Sequence, residues 1–514
     1  MNRRDVLRAG TGVAASAWLA GCTTADGGDA KPSATTRTPT TPSTASSSAT
    51  AGAPPDWPAL AKGLGGALIR PDDSAYDTSR RLYNTRFDGL RPAAIVYASG
   101  PDDVRACLDF ARRSRSVRLS VRSGGHSYGG WSSGGADHLV LDVSRLNAIS
   151  TNGTDATVGA GAKLIDLYSR LGENGRTVPA GSCPTVGVSG LTLGGGHGVL
   201  SRSYGLTCDS LTGATIITAD GKQLDCDAKT EPDLFWALRG AGCGNFGVVT
   251  ELRFATHPAP SVVTGYATWP WSRAAAVVRA WQEWGPDQPD HLWSALHLEG
   301  SAGGSPKISL ATLSTGSQTD LANAVDRLAG SAGGTAPSFS TRPHAYVDAM
   351  FSYAGCSGLT AAQCHLEPKG RLRRETYTAR SDFYDRSLPP AGIQALLGQV
   401  ERLGALPAGG DGSVALTALG GAVNRVDPGA TAFVHRRSRF LAQYTASDGL
   451  SRTAWLDTLY AAMRRYASGS AYQNYADPGL KEWRQAYYGP AAARLTELKR
   501  KYDPQRLFDF PQAL

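Results

Sequence analysis

The chain has 514 residues, 41% of them hydrophobic, with 61 glycines and a formal net charge of +8. That length exceeds one ordinary hydrophobic core, so two folded domains are expected. The basic residues are scattered and form no stripe with aromatics between them, which argues against nucleic acid as a partner; no C-x-x-C pair occurs, so neither a zinc ribbon nor any other metal site is expected.

The first 22 residues read as processing sequence. Arg3 and Arg4 precede the apolar run GVAASAWLAGC, which falls short of the roughly 20 residues needed to cross a bilayer. The pair resembles a twin-arginine export signal, and Leu19-Ala20-Gly21-Cys22 resembles a lipoprotein cleavage box. The expectation is a secreted protein, or one anchored by lipid at Cys22 to the outer face of the membrane. Residues 23–55 are Thr, Ser, Pro, Ala and Gly with almost no large apolar groups. They cannot bury enough surface to offset the entropy of ordering and read as a disordered tether.

From Pro92, strands and helices alternate. AAIVYA is a strand, and Ser99 is expected to cap a helix with Val104, Cys107, Leu108 and Ala111 at helical spacing. VRLSVR has strand period, with Val117, Leu119 and Val121 on one face, and it delivers the chain into the loop RSGGHSYGG. HLVLDVSRL is a strand; KLIDLYSRLGENG is a helix stopping at glycine. TVPAGSCPTVGVSGLTLGGGHG reads as a second long glycine-rich loop. TIITADGKQL is a hairpin turning at Asp220-Gly221, and DLFWALRGAGCGNFGVVTELRF is helix, loop and strand.

After about His257 the texture changes. WSRAAAVVRAWQEW, TDLANAVDRLAG and PAGIQALLGQVERLG are amphipathic helices; KISLATLST, SVALTALGG and RFLAQYTAS are strands. A second α+β domain with an antiparallel sheet is expected. The segment from about Tyr472 is rich in aromatics and ends in the helix PAAARLTELKRKYDP. Apart from Cys22 and Cys183, six cysteines allow fifteen pairings; Cys356 and Cys364 are near enough in sequence to close a small loop in an oxidising compartment.

The two glycine-rich loops suit a concave anion site, where backbone N–H groups approach a phosphate closely. Neither the P-loop pattern nor G-x-G-x-x-G after the first strand is present, so these rules alone leave a nucleotide diphosphate and a ligand-free turn cluster both open.

A set of ordered motifs narrows this. R122-S-G-G-H126-S-Y, P-A-G-S-C183-P-T-V186-G-V, G194-G-G-H-G, G244-N-F-G-V-V, Y472-Q-N-Y475-A-D, Y487-Y-G and Y502-D-P occur in this order. Together they resemble the berberine-bridge-enzyme-like flavoprotein oxidases of the vanillyl-alcohol-oxidase superfamily, from about residue 65 to 513, most weakly between 260 and 410. The resemblance implies an α+β fold. A two-subdomain PCMH-type FAD-binding domain would span 70–257. A substrate domain at 260–465 would carry an antiparallel sheet covered by helices, and a C-terminal segment, 472–514, would return to the FAD domain. It implies covalent FAD, bonded to His126 through the 8α carbon and to Cys183 through C6. Arg122, Ser123, Gly124, Gly125, Ser127, Val186, Gly187, Val188, Gly194, Gly195, Gly196, Gly198, Asn245, Gly247, Val248, Val249 and Asn474 would cradle the cofactor.

Tyr475 matches the family's proton-accepting tyrosine, and Tyr128 a second active-site tyrosine of some relatives. A phenol with its usual pKa near 10 must be helped to act as a base, and an oxidised flavin and nearby cations are expected to favour the phenolate. Val186 matches the position that admits oxygen, which implies an oxidase yielding hydrogen peroxide. Two departures stand out. Where some relatives carry a second tyrosine or an acid, this chain reads Leu419-Gly420-Gly421 and Asn424; Ser189 and Leu191 replace the G-H of many plant members. The implied substrate is a sugar or oligosaccharide oxidised at the anomeric carbon. Tailoring oxidation of a secondary metabolite such as an aromatic alcohol is the alternative, and a flavin-containing small-molecule binder is a reading of another class. Trp269, Trp271, Trp281, Trp284 and Trp293 crowd the second domain; some could stack on sugars, although Trp281 and Trp284 have the spacing of core residues.

Overall fold

Strand Ala94–Tyr97 is buried on both faces, as a parallel strand covered on two sides must be. It lies in a four-stranded sheet ordered Ala67–Ile69, Ala94–Tyr97, His138–Asp142, Arg118–Arg122, the last three parallel. The structure, a computed structural model, describes residues 55–514 except 115, 335–337, 407–409 and 448–452. The expected export segment, Cys22 and the tether up to residue 54 lie outside the described residues.

Helix Pro101–Arg113 buries Val104, Cys107, Leu108 and Ala111 against this sheet, as their spacing requires. Its cap differs from expectation: Gly100 is the capping residue. Ser99 stands one position too early to reach the helix N–H groups. Asp103 instead turns back and accepts from the Ser99 N–H and hydroxyl, both at 2.7 Å. A second sheet of five antiparallel strands follows, ordered Ile149–Asn152, Asp155–Gly159, Gly247–Ala255, Leu211–Thr218, Gln223–Asp227. The expected hairpin turns at Gly221, whose φ of +85° needs glycine. The long glycine-rich stretch is not all loop, because Val188–Leu193 forms a short helix between Gly187 and Gly194.

The large sheet has seven antiparallel strands, ordered Ser338–Ala345, Ser261–Trp269, Lys307–Ser314, Leu292–Ser301, Asp411–Ala418, Phe440–Ser447, Tyr377–Tyr384. Helices Ala274–Trp284, Gln318–Ser331, Pro390–Gly404 and Thr453–Arg464 cover one face. Period-2 alternation sorts the side chains. Leu292, Leu296, Leu298, Val414, Leu416, Phe440, Ala442 and Tyr444 pack under the helices, while Trp293, His297, Glu299, Ser413, Thr417 and Gln443 face the first core across a cleft. Trp281 and Trp284 are core, donating their indole N–H groups to Ser294 Oγ and the Ala324 carbonyl. Cys356 and Cys364 form the expected disulfide.

Two buried cations hold distant segments together. Lys499, on the C-terminal helix Ala492–Tyr502, donates to the carbonyls of Asn245 and Phe508 and pairs with Asp503 at 2.7 Å, which brings the chain end back to the first core. Arg202, 1% exposed, extends from the first core into the second. Its guanidinium donates to the carbonyls of Leu292 and Pro286 at 2.9 Å and to those of Leu419 and Gln288. Removing it strands four carbonyls. Arg202→Met is expected to cost about 3–5 kcal/mol, the usual loss when one partner of a buried polar cluster is deleted, read as a lower thermal midpoint.

Candidate active site

The cleft between the large sheet and the first core collects most of the residues that the sequence singles out. Ser123, Gly124, Gly125, His126, Ser127 and Tyr128 line it from one loop, Cys183, Val186 and Gly187 from another. Gly198, Asn245, Gly247, Val249, Asn474 and Tyr475 line it as well. Arg122, Val188, Gly194, Gly195, Gly196 and Val248 do not, and each has a physical reason. Arg122 lies beneath its loop, 4% exposed, paired with Asp142 at 2.5 Å and donating to the Ser79 carbonyl at 2.7 Å. Val248 points away because Gly247 and Val249 point in, and Val188 faces the core at 0% exposure. Gly195 and Gly196 turn their Cα hydrogens toward Phe433 and Thr207, and Gly194 packs against Asn474.

The two loops are joined at their backbones. A Cβ on Gly124 would stand 2.2 Å from the Gly187 nitrogen, and one on Gly187 would stand 2.5 Å from the Gly124 nitrogen. Ser123 and Ser189 both donate to the Ala160 carbonyl at 2.7 Å, and Lys163 Nζ donates to the Ser123 carbonyl at 2.7 Å. Helix Leu164–Gly172 begins alongside. Its first N–H groups, from Leu164 and Ile165, find acceptors in the Val186 and Pro184 carbonyls at 3.1 Å. Helix-end donors that would otherwise lack partners thus pin the Cys183 loop.

His126 stacks on Tyr83 at 4.1 Å, and its Nε2 lies 2.9 Å from Thr185 Oγ1, two residues beyond Cys183. Burial, with a smaller push from Lys163, depresses its pKa to about 3, so the imidazole is neutral. Cys183 is half-buried at the cleft wall. An imidazole and a thiol therefore face one cavity from loops that a single hydroxyl bridges.

Tyr475, in the short helix Gln473–Tyr475, stacks on Tyr128 at 5.2 Å. Its Oη lies 2.8 Å from His197 Nε2. The expected cationic neighbour is replaced here by an imidazole that burial holds neutral, its pKa lowered to about 4. Tyr128 Oη accepts from Gln443 Nε2 at 2.9 Å, linking the tyrosines to the sheet. Asn474 donates to the Leu191 carbonyl and to Tyr472 Oη, both at 2.9 Å, and so fixes the turn that carries Tyr475. Leu419 is buried in a small cluster behind the cleft, and Asn424 closes the turn after Gly420 by accepting its N–H at 3.1 Å. Of the five tryptophans named from the sequence, Trp293 lines the cleft.

Sequence reasoning missed His197 and the pair His297 and Glu299. His197 sits within GGGHG, which reads as backbone chemistry. The other two follow the strand period of ALHLEG, which could have flagged them had the buried face been known.

The site suits a flavin dinucleotide: backbone approaches that a Cβ would block, beside an imidazole and a thiol aimed at one space. Comparisons agree. The family profile described as FAD binding domain matches residues 92–227, and that described as berberine and berberine like matches 471–514. The FAD-linked oxidoreductase YgaK of Bacillus subtilis is 31% identical over 466 residues, 88% of this chain and 97% of that protein. Xylooligosaccharide oxidase of Thermothelomyces thermophilus is 31% identical, covering 86% of this chain and 91% of the relative. The solved structure of BBE-like 1 from Physcomitrella patens superposes with a TM-score of 0.81 at 31% identity, covering 88% of this chain and 97% of that one. Gly124→Ala or Gly187→Ala should force the two loops apart and lower the flavin-to-protein absorbance ratio of the purified protein several-fold.

Proposed function

The chain belongs to the berberine-bridge-enzyme-like family of FAD-linked oxidases, and on that footing we propose that it is an exported oligosaccharide oxidase. In this reading FAD is held by covalent bonds to both His126 and Cys183, and electrons pass to O2 as hydrogen peroxide. The observation that carries the reading is the convergence of His126, Cys183 and the Tyr475–His197 hydrogen bond on one cleft, opposite the polar face of the large sheet.

Bound FAD supplies the hydride acceptor and the route to O2. The chain's own residues do the rest. His126 is the neutral, nucleophilic form of imidazole. With Nε2 engaged by Thr185, Nδ1 is the nitrogen for attachment. Tyr475 takes the proton of the substrate hydroxyl at Oη.

His197 has two conceivable parts, and magnitudes choose between them. Accepting the Tyr475 proton is disfavoured, because burial lowers the imidazole pKa to about 4 and so penalises the charged form. Donating its own N–H to the phenolate gains about 1.5–3 kcal/mol, as hydrogen bonds to charged groups do. His197 therefore acts as a donor that stabilises the phenolate. Val186, half-buried on the cleft wall, leaves room for O2. The sugar class is supported by the hydroxyl, amide and carboxyl groups on the sheet face, by Trp293 beside them, and by the xylooligosaccharide oxidase among the relatives. Arg3 and Arg4 support export, and Cys22 a lipid anchor.

Acid precipitation tests the attachment. The yellow colour should stay with the pellet of the unaltered protein and of His126→Ala and Cys183→Ala separately, and leave only from the double variant. Release from the unaltered protein would end the covalent reading. A peroxide assay against disaccharides and aromatic alcohols tests the rest. Tyr475→Phe should slow anaerobic flavin bleaching by about 10²–10⁴-fold, the range for loss of a general base, with flavin content unchanged.

A further inference from the structure

Three rows of side chains cross the cleft face of the large sheet, set by register. Ala295 pairs with Thr417 and Thr417 with Leu441; His297 pairs with Ala415 and Ala415 with Gln443; Glu299 pairs with Ser413 and Ser413 with Thr445. In the middle row, two long polar side chains flank one methyl group. Strands lie about 4.8 Å apart, so the Cα atoms of His297 and Gln443 stand roughly 10 Å apart with Ala415 as the floor between them. The result is a slot one strand wide, open to the cleft.

The polar groups on its two sides are not equivalent. Gln443 is engaged by Tyr128. Among the described residues, His297 Nε2 and Glu299 Oε1 are buried with no hydrogen-bond partner, and His297 is only 5% exposed. Each unpaired buried atom is a standing cost to the fold unless a ligand satisfies it. The opposite face of the same strand is leucine at positions 292, 296 and 298, so an apolar residue would serve packing better at 297 and 299. The strand next to it, Asp411–Ala418, brings no acid or imidazole to the cleft, only Ser413, Ala415 and Thr417.

We propose that His297 and Glu299 are specificity-determining residues that bind hydroxyl groups of a sugar ring seated on Ala415. The proposal rests on the sugar-oxidase reading above and names the residues that read the substrate within it. Glu299 faces Lys307 across the strand pair, with Asp411 and Tyr266 nearby. Burial pushes its carboxyl up to about 7, against the pull of Lys307 and with a further push from Asp411. It thus passes from hydroxyl donor to full acceptor near neutrality. His297 is kept neutral, its pKa lowered to about 4 by burial.

The test uses anaerobic, reduced holoenzyme, which cannot turn over, with xylobiose and chitobiose as probes, binding being read by calorimetry. His297→Ala and Glu299→Gln should each weaken binding roughly ten- to a hundredfold, the worth of one or two such hydrogen bonds. KM should rise with kcat much less affected. Wild-type affinity should increase as pH rises through about 7, and Glu299→Gln should abolish that step, a change that a merely structural role would not produce. Ala415→Leu, which fills the slot and leaves both polar residues in place, should also abolish binding; it serves if either polar variant folds poorly. Wild-type affinity and pH profile in these variants would overturn the proposal while leaving the oxidase reading intact. Peroxide from an aromatic alcohol, with no disaccharide bound, would overturn the proposal and the sugar class together.

Discussion

The approach of Gly124 to Gly187 is the constraint on which the site depends. Two loops, one leaving strand Arg118–Arg122 and one leading into helix Val188–Leu193, meet backbone to backbone, too near for a single methyl group on either. Their serines share the Ala160 carbonyl, and Thr185 reaches from one loop to the imidazole of the other. A rigid weld of this kind fixes the distance between a histidine and a cysteine that lie 57 residues apart in the chain. An imidazole and a thiol carried on independent loops would keep no fixed relation; carried on one welded unit, they present a single preorganised wall.

The opposite wall follows from a simpler rule. A strand offers alternate residues to opposite sides, and the large sheet uses one side for a helix-covered apolar core and the other for the cleft. Polarity on the second face is possible only because another layer meets it across a cavity. Arg202 maintains that layer by reaching through to carbonyls on the far side. Its charge is offset not by a carboxylate in contact but by oriented backbone dipoles, so the clamp works only while all of those carbonyls keep their positions.

Between the walls, Tyr475 has a neutral imidazole as its hydrogen-bond partner. His197 comes from the glycine-rich loop, Tyr475 from the C-terminal segment and Tyr128 from the His126 loop. Gln443 joins this group to the sheet. Three distant stretches of chain and one sheet strand thus share a single hydrogen-bonded and stacked unit, which couples the position of Tyr475 to the large sheet.

Local pattern alone determined a good deal of this protein. Strand and helix periods placed strands Ala94–Tyr97, Arg118–Arg122 and His138–Asp142 and three of the seven strands of the large sheet, and left Ser261–Trp269, Leu292–Ser301, Ser338–Ala345 and Tyr377–Tyr384 unread. The hairpin at Gly221 and the helix-facing tryptophans followed from spacing, and the motifs around His126, Cys183 and Tyr475 pointed to one cofactor. Those features depend on residues close in sequence or on backbone needs that only glycine meets. Where a side chain points is a different matter. Arg122, Val188, Val248 and Gly194 through Gly196 sit in the right motifs yet turn from the cleft, while His197, whose motif reads as backbone chemistry, and His297 and Glu299, which lie in no motif, turn into it. Period says which residues share a face, but not which face meets water, a helix or a cavity. Only the packing of the large sheet against the first core decided that, because burial is a property of the assembled layers and not of any segment within them.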